Sequence, residues 1–376
     1  MREVTVFVGG SVGADPYSPK TWSGCSLNLM TALKNGETLN QAVGIRVPKL
    51  VQYGLMAKNY NRNRAAWRKH FYFDPAYRRA LTRAAKRVKV QSPVLMQIGH
   101  MFSLPAAFPT HPCVSYHDGN LVELLDSGFG LEGVAAKRID QAMAYEREAA
   151  QKMTAIFTFS EYLRQSFIKN YGVPAERVVS VGAGVNLASL PEANPTKTYT
   201  QPRILFIGVE FTRKGGPQLL NAFKIVRDRI PNATLDIAGP THVDNLPAGA
   251  TLHGHLSKAV PEQAAKLEEL FRTATVFVLP SLYEPFGIAP LEAMLNQVPV
   301  VTTNAWALPE FVIPGETGEL VEKGSVEDLA EKLTALLSAP PEQLAAMGAK
   351  GRERAMLRYT WATVATRIRK AVLPLL

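Results

Sequence analysis

The stretch that most constrains this chain runs from residue 276 to residue 294, where an apolar strand pattern gives way to a helix pattern. Val276–Leu279 is short, apolar and β-branched, which is typical of a strand buried on both faces, and Pro280 ends it. Gly287 permits a left-handed backbone or a close approach to a ligand, and the helix pattern begins at Ile288. The stretch therefore predicts a parallel strand, a loop and a helix N-terminus, a junction that suits an anion such as a diphosphate.

Two carboxylates, Glu284 and Glu292, flank this junction, one in the loop and one about a turn into the helix. One role of a carboxylate near a helix N-terminus is to compensate the helix dipole. For a single Glu, that role alone is a sufficient explanation. A pair on either side of a Pro-Phe-Gly turn favours a second explanation, because carboxylates that accept several hydroxyl hydrogen bonds hold sugars and riboses. We therefore expect both side chains to face one crevice.

The segment Glu284-Pro-Phe-Gly-Ile-Ala-Pro-Leu-Glu292 resembles the Glu-seven-residues-Glu signature of the retaining glycosyltransferases of family 4, within glycosyl transferases group 1. The resemblance is dense over residues 200–325 and looser over 1–190. Where the family ends the motif helix with glycine, this chain has Asn296, which we expect in the left-handed conformation. The flanking segments that follow the family's order are Pro280-Ser281, Glu292-Ala293-Met294, Val298-Pro299-Val300-Val301, Pro309-Glu310 and Gly315-Glu316-Thr317-Gly318.

The chain has 376 residues, which exceeds one ordinary core and predicts two domains. The resemblance implies an α/β architecture of the GT-B fold, with two Rossmann-like parallel-sheet domains facing a central cleft and a C-terminal helix that crosses back to the first domain. A Pro-rich polar stretch after residue 190 is typical of a linker. The predicted domains are 1–190, which binds the acceptor and is joined by 357–376, and 198–356, which binds the nucleotide sugar.

The composition, with 47% hydrophobic and 20% charged residues, is that of a soluble globular protein. Two cysteines are too few for a disulfide scaffold and fit a reducing compartment. The opening residues 1–8 predict a first strand, since their apolar run is too short for a signal peptide, and no uninterrupted apolar run is long enough to span a bilayer. We expect a cytoplasmic location, with a peripheral position at the inner face of the plasma membrane as a further hypothesis.

The charge is concentrated in residues 58–89, here called the basic segment, which holds eleven cations and one acid, Asp74. Aromatic residues are interleaved with the cations. One interpretation is a solvated helical face with aromatics turned to the core. The other is a surface for anionic phospholipid headgroups or a phosphate-bearing acceptor. No recognition motif supports nucleic acid as a partner.

A second phosphate-binding candidate lies where the strand pattern 203–207 ends at Gly208. The loop that follows contains Arg213, Lys214 and two glycines ahead of a helix, and such cations suit phosphate oxygens, although a solvated loop has the same composition. The resemblance assigns Lys214 to the donor diphosphate. Arg213 is assigned there less securely, because Val209 stands where many members have arginine.

The resemblance also implies roles for residues elsewhere in the chain. Gly24 would lie beneath the donor diphosphate, and His117, followed by Asp118, would lie near the donor sugar; a tight turn and an Asx turn are the alternatives. Backbone groups of Leu256 and Ser257 would meet the nucleobase. The predicted catalytic residues are Glu284, His117 and Asp118. The predicted donor-binding residues are Gly24, Gly208, Arg213, Lys214, Leu256, Ser257, Phe286, Gly287, Ile288, Ala289 and Glu292.

The function implied is a retaining, metal-independent glycosyltransferase that moves a sugar from a UDP- or GDP-sugar to a glycan or lipid-linked acceptor, as in cell-envelope polysaccharide assembly. The sequence has no Cys/His cluster or paired-Asp metal motif, and we expect no cofactor besides the nucleotide-diphospho-sugar substrate. Two alternatives are a GT-B phosphorylase and a non-catalytic protein that binds sugar nucleotides or an anionic surface. The sequence shows no pattern that identifies the donor base, the donor sugar or the acceptor.

Overall fold

The structure, a computed structural model, describes residues 3–187 and 189–376. The chain divides into two compact units. The first is Met1–Asn186 together with Trp361–Leu376, and the second is Leu187–Thr360. The boundaries predicted from the sequence place a linker between residues 190 and 198. They place the start of the segment that returns to the first domain at residue 357.

The first unit is built on a six-stranded parallel sheet in the order β2-β1-β3-β4-β5-β6. Its strands are β1 Val4–Gly9, β2 Leu39–Ile45, β3 Val94–Ile98, β4 Cys113–His117, β5 Ala155–Thr158 and β6 Val178–Ser180. Its helices are α1 Cys25–Asn35, α2 Lys49–Lys58, α3 Arg64–Phe73, α4 Pro75–Ala85, α5 Leu104–Ala107, α6 Leu121–Ser127, α7 Ala136–Gln151 and α8 Glu161–Tyr171. Both β3 and β4 are buried along their full length, as expected when helices cover both faces of a parallel sheet.

Side-chain caps begin several of these helices. Asp74 accepts a hydrogen bond from the Ala76 N–H at the start of α4, where Pro75 occupies the first helical position. Ser160 accepts from the Leu163 N–H at 3.1 Å at the start of α8.

The second unit contains a six-stranded parallel sheet in the order β12-β11-β10-β7-β8-β9. Its strands are β7 Arg203–Ile207, β8 Thr234–Ala238, β9 Ala250–Gly254, β10 Val276–Leu279, β11 Val300–Thr303 and β12 Gly318–Val321. Its helices are α9 Gly216–Arg229, α10 Pro261–Thr273, α11 Ile288–Leu295, α12 Val326–Leu337 and α13 Pro341–Arg358. This is the strand order of the dinucleotide-binding fold, in which the direction of winding reverses between β7 and β10.

The last helix, α14 (Trp361–Val372), belongs to the first unit. The Trp361 indole N–H donates to Asn186 Oδ1 at 3.1 Å, and Arg367 donates to the carbonyl of Val181 at 3.1 Å. Gly184 makes room for this helix, since a Cβ there would lie 2.4 Å from the Trp361 ring. The predicted return of the C-terminal helix is confirmed.

One backbone expectation is wrong. After α11 the left-handed residue is Gln297, with φ +57°, whereas Asn296 has φ −87°. The Asn296 side-chain amide donates to the carbonyl of Glu292 at 2.9 Å, so it caps the helix end while the next residue makes the turn. Within the described residues, no helix is both long and apolar enough to cross a bilayer.

Candidate functional site

The loop between β10 and α11 depends on Gly287. This residue has φ +98°, and a Cβ in its place would lie 2.7 Å from Leu308 Cδ2. A side chain would therefore meet both an unfavourable backbone conformation and a clash. The helix begins at Ile288 as predicted, and its first N–H groups have no acceptor within the helix.

Two loops leave the sheet at the point where the strand order reverses. Residues 208–215 follow β7, and residues 280–287 follow its neighbour β10. The Leu282 N–H donates to the carbonyl of Arg213 at 2.9 Å. Gly215 has φ +76°, and a Cβ there would lie 1.9 Å from the Pro280 carbonyl oxygen. The loops thus touch through their backbones, which places their side chains at the crevice where α/β sheets bind ligands.

Glu284 and Lys214 meet across these two loops. The Lys214 ammonium donates to Glu284 Oε2, and their side chains are only 7% and 16% exposed for Glu284 and Lys214 respectively. A carboxylate this far from water needs a partner, and the lysine provides one. The structure therefore brings together a residue predicted to be catalytic and the residue predicted to bind the diphosphate.

Arg213 makes contacts of a different kind. Its guanidinium donates to the Tyr283 carbonyl at 2.7 Å and to the Glu210 carboxylate at 2.8 Å. It ties the β7 loop to the β10 loop, with Glu210 as its counter-ion. The predicted contact with a donor phosphate stays a prediction, and this arginine has a structural task besides.

Glu292 lies on α11 and is buried. Its partner is Lys258, from the loop after β9, and the lysine side chain is 43% exposed. Burial raises the pKa of Glu292, and the Lys258 charge and hydrogen bond act against that rise. Sequence reasoning missed Lys258, because one lysine in a loop has no distinctive pattern.

The other predicted donor-binding residues of this unit lie on the loops after β7, β9 and β10 and in the first turn of α11. Gly208 is packed against the Lys214 side chain, and Ile288 and Ala289 are half-buried in the first turn of α11. Phe286 is buried against the rings of Phe311 and Tyr359. Leu256 and Ser257 are half-buried in the β9 loop, and the Ser257 N–H donates to Gln263 Oε1 at 2.7 Å.

In the first unit, the loop before α1 contains three consecutive left-handed residues. Trp22, Ser23 and Gly24 have φ of 50°, 53° and 89°. Two of them are not glycine, a conformation that persists only when its surroundings hold it. The Asn186 amide donates to the Ser23 carbonyl at 3.0 Å, and the Trp22 indole donates to Asp118 Oδ2 at 2.8 Å. Gly24 and Asp118 are thereby connected through Trp22.

His117 ends β4 and is almost completely buried. Its ring stacks on that of His100, with centroids 5.8 Å apart and planes 8° from parallel, and packs against Phe167 on α8. Burial and the charge of His100 lower the pKa of His117 to about 3. The imidazole is therefore neutral at pH 7. At Asp118, burial raises the pKa of the carboxyl group and the Trp22 hydrogen bond opposes the rise.

Next to His117 lies a cluster of Arg78, His100, Glu146 and Tyr171, of which all but His100 are buried. Glu146 Oε1 accepts from the Tyr171 hydroxyl at 2.6 Å, and Oε2 lies 3.0 Å from His100 Nε2 and 3.8 Å from Arg78. Burial alone would raise the pKa of Glu146, but the charges of His100 and Arg78 and the Tyr171 hydrogen bond outweigh it and lower the pKa to about 2. His100 stacks on His117 and contacts the Glu146 carboxylate, and so it connects the two residues.

The predicted residues divide between the two units. Gly24, His117 and Asp118 belong to the first, and the other predicted site residues belong to the second. Within the described parts of the chain, no group of three or more His, Cys, Asp or Glu residues could hold a metal ion. The catalytic and binding roles themselves stay predictions.

Comparison with known proteins adds independent observations. Residues 192–354 match the model of the family Glycosyl transferases group 1. The MMP alpha-(1->4)-mannosyltransferase of Mycolicibacterium hassiacum is 30% identical over 227 residues, covering 58% of this chain and 54% of that protein. The glycogen synthase of Mycobacterium tuberculosis is 28% identical over 281 residues, covering 71% and 66%. The matched stretches thus span about half to two thirds of these relatives.

A solved structure shows the fold. Sucrose-phosphate synthase from Thermosynechococcus elongatus superposes with a TM-score of 0.72 and 18% identity, covering 100% of this chain and 99% of that one. Membership of family 4 stays a prediction with which the names of the relatives are consistent. Residues 192–354, which lie in the second unit, are thus similar to glycosyl transferases group 1, and the chain has the GT-B fold, as the resemblance of its sequence predicts.

Proposed function

We propose that this protein is a retaining glycosyltransferase that moves a sugar from a nucleotide-diphospho-sugar to a hydroxyl of a glycan or lipid-linked acceptor. The observation that carries the proposal is the Lys214–Glu284 ion pair, placed in the region similar to glycosyl transferases group 1, where the β7 and β10 loops meet. One relative named above is a mannosyltransferase and another is a glycogen synthase, which favours polysaccharide or glycoconjugate synthesis as the pathway.

Lys214 and Glu284 would separate when the donor binds. The donor diphosphate carries more charge than one carboxylate and would draw the Lys214 ammonium, while Glu284 would turn its oxygens to the sugar hydroxyls. In the transition state, negative charge grows on the departing diphosphate. Lys214 and the free N–H groups at Gly287 and Ile288 are preorganised to stabilise that charge, an effect worth about 10²–10³ in rate for one donor. In this proposal these groups fulfil the role for which other transferases use a metal.

Glu292 would bind the donor ribose. Two hydroxyls on adjacent carbons suit a carboxylate, and the charge and hydrogen bond of Lys258 oppose the rise in the pKa of Glu292 that burial causes. Transfer with retention would proceed by attack from the side of the leaving group, with the phosphate oxygen accepting the proton of the acceptor hydroxyl.

A panel of UDP- and GDP-sugars in a thermal-shift assay, followed by donor hydrolysis with the best ligand, tests the proposal. We expect one donor to stabilise the protein and to be hydrolysed slowly without added metal or phosphate. Turnover that requires inorganic phosphate would point to a phosphorylase. If the protein bound nucleotide diphosphate but neither hydrolysed a donor nor transferred sugar to any acceptor, it would be a non-catalytic binding protein.

We further propose that the first unit lies on an anionic membrane surface through α2 and the basic segment. Of the eleven cations, Lys69 pairs with Glu132 and Arg78 with Glu146. The remaining nine are exposed, and the described residues contain no ion pair to any of them. Beside them Leu50 on α2 is 87% exposed and Tyr53 is 61% exposed. Cations next to exposed apolar side chains are the composition of an interfacial helix.

Between α2 and α3 lies a cavity of 210 Å³ with aromatic walls, which include Trp67 and Phe71, and with Arg64 and Arg68 among its lining residues. Flotation with vesicles should require an anionic phospholipid and should weaken with salt. The change Arg64→Glu with Arg68→Glu should abolish flotation and leave donor hydrolysis intact. Flotation of that variant with the wild-type lipid dependence would remove this part of the proposal.

A further inference from the structure

A second cavity in the first unit has a lining that the proposed reaction does not use. It measures 280 Å³ and lies among α4, α5 and α7. This is the space of about nine water molecules, close to the lower limit for small-molecule pockets. Its lining residues are Arg79, Thr82, Arg83, Ser103, Ala106, Tyr145, Glu148 and Ala149.

Two arginines line this cavity from one helix. Arg79 and Arg83 are four residues apart on α4, so their side chains share one face. Both are exposed, and neither forms an ion pair within the described residues. The one acid of the lining, Glu148, already pairs with Lys152 at 2.7 Å. The cavity therefore has two guanidinium groups available to an anion, and two such forks match the oxygens of a phosphate.

Three residues with hydroxyl groups, Thr82, Ser103 and Tyr145, line the same cavity. Thr82 Oγ1 lies 2.9 Å from the Tyr145 hydroxyl and accepts from the Ser103 N–H at 3.0 Å. Thr82 Oγ1 also donates to the Arg78 carbonyl at 3.2 Å, which uses its last hydrogen-bonding position. The Ser103 hydroxyl, which accepts from the Ala106 N–H at 3.4 Å, and the Tyr145 hydroxyl each have capacity for a further hydrogen bond. Ala106 and Ala149 leave space between them, and the Tyr145 ring is partly buried beside them. Such a surface suits a neutral hydroxylated body next to the charged group.

We propose that this cavity binds a phosphate monoester of a small hydroxylated molecule, such as a sugar phosphate, at a site separate from the donor site. Arg79 and Arg83 take the phosphate, and the hydroxyls of Ser103 and Tyr145 take hydroxyl groups of the ligand, with Thr82 holding Tyr145 in place. Glu148 stands at the same lining and disfavours ligands with a second anionic group close to the first. The proposal does not depend on the transferase activity, because every residue in it lies outside the predicted catalytic and donor-binding sets.

Calorimetry on the full chain tests the site with glucose 6-phosphate, glucose and inorganic phosphate as probes. We expect glucose 6-phosphate to bind most tightly, inorganic phosphate more weakly and glucose not at all at about 10 mM. The change Arg79→Ala with Arg83→Ala should weaken glucose 6-phosphate at least about tenfold, because a hydrogen bond to a charged group is worth about 1.5–3 kcal/mol. Tyr145→Phe, which keeps the ring, should weaken glucose 6-phosphate but leave inorganic phosphate unchanged.

The matched control is Lys86→Ala with Arg87→Ala, which removes the same charge from exposed positions just after α4 that do not line the cavity. Its affinity for glucose 6-phosphate should stay within about twofold of wild type. Equal weakening in the control and the cavity variant would overturn the proposal, since the effect would then be general attraction to a basic surface. Loss of binding on Lys214→Ala would also overturn it, by placing the probe at the donor site. Wild-type protein that binds none of the phosphate probes would end it directly.

Discussion

The two units bury carboxylates in different ways. In the second unit, Glu284 and Glu292 each pair with one lysine from another loop, and the lysine is the more exposed partner of each pair. In the first unit, Glu146 is completely buried and meets His100, Arg78 and the Tyr171 hydroxyl together. A single mobile ammonium can leave for a ligand, whereas three converging groups cannot leave together. Glu284 and Glu292 can therefore exchange their lysine partners for a ligand, whereas Glu146 keeps its partners.

The largest effect on activity should come from Glu284→Ala in the second unit. Transfer should fall by about 10²–10³, because the interaction is made with the sugar as it reacts, whereas affinity for the nucleoside diphosphate should change little. Steady-state rates and calorimetry measure the two quantities. Glu284→Gln, which keeps the shape, separates loss of charge from loss of volume. Unaltered turnover in the alanine variant would reject the assignment.

In the first unit, Glu146→Gln should lower the free energy of unfolding by about 3–5 kcal/mol at pH 7, because Arg78 is left buried without its counter-ion. The measurement is urea unfolding beside Glu148→Gln, an exposed neighbour whose loss should cost under about 1 kcal/mol. Since the pKa of Glu146 falls from 4.5 to about 2 on folding, its ionic contribution is complete above 4.5 and disappears as pH drops towards 2. A constant difference between wild type and variant from pH 7 to pH 2 would contradict this.

Glu123 on α6 should show the opposite pH dependence. Burial and the charge of Asp118 raise the pKa of Glu123 from 4.5 to about 8, so the folded protein holds a proton that the unfolded chain releases. Stability should therefore decline as pH rises from 4.5 to 8. Glu123→Gln should remove this decline and be more stable than wild type at pH 9 by up to a few kcal/mol. Parallel stability curves for the two proteins between pH 5 and pH 9 would refute the assignment.

The smallest effect should come from Lys258→Ala. Lys258 opposes the burial that raises the pKa of Glu292, so its removal should raise that pKa further. If Glu292 binds the ribose as a carboxylate, nucleotide affinity at pH 7 should fall less than about tenfold and should recover at higher pH. Lys266→Ala, which removes a lysine paired with Glu269 on α10, serves as the control and should show no pH shift. If the pH profile of nucleotide affinity were unchanged in Lys258→Ala, Lys258 would have no role in nucleotide binding through Glu292.

The second unit was largely predictable because its site depends on local patterns. The strand Val276–Leu279, the left-handed Gly287 and the helix start at Ile288 lie within a dozen residues, and strand order then fixes which loops meet. The Lys214–Glu284 contact follows from that order, because β7 and β10 are neighbours. Lys258 was missed, since nothing local to it indicates that the β9 loop reaches α11.

The first unit was less predictable because its contacts join distant parts of the chain. Trp22 bonds to Asp118 and Thr82 to Tyr145, and no periodicity links such residues. The basic segment shows the same limit. Its cations are equivalent in the sequence, yet Arg78 is buried in a charge cluster while its neighbour Arg79 lines a cavity.

The return of α14 to the first unit bears on how the chain is made. Gly184 and Asn186 both contact Trp361, which the ribosome adds only after the whole of the second unit. The unit that emerges first is therefore completed last, and until then the surface beneath α14 is open to chaperones or to association with other nascent chains. The same order suggests that a separately supplied α14 peptide could complement a chain cut after Thr360.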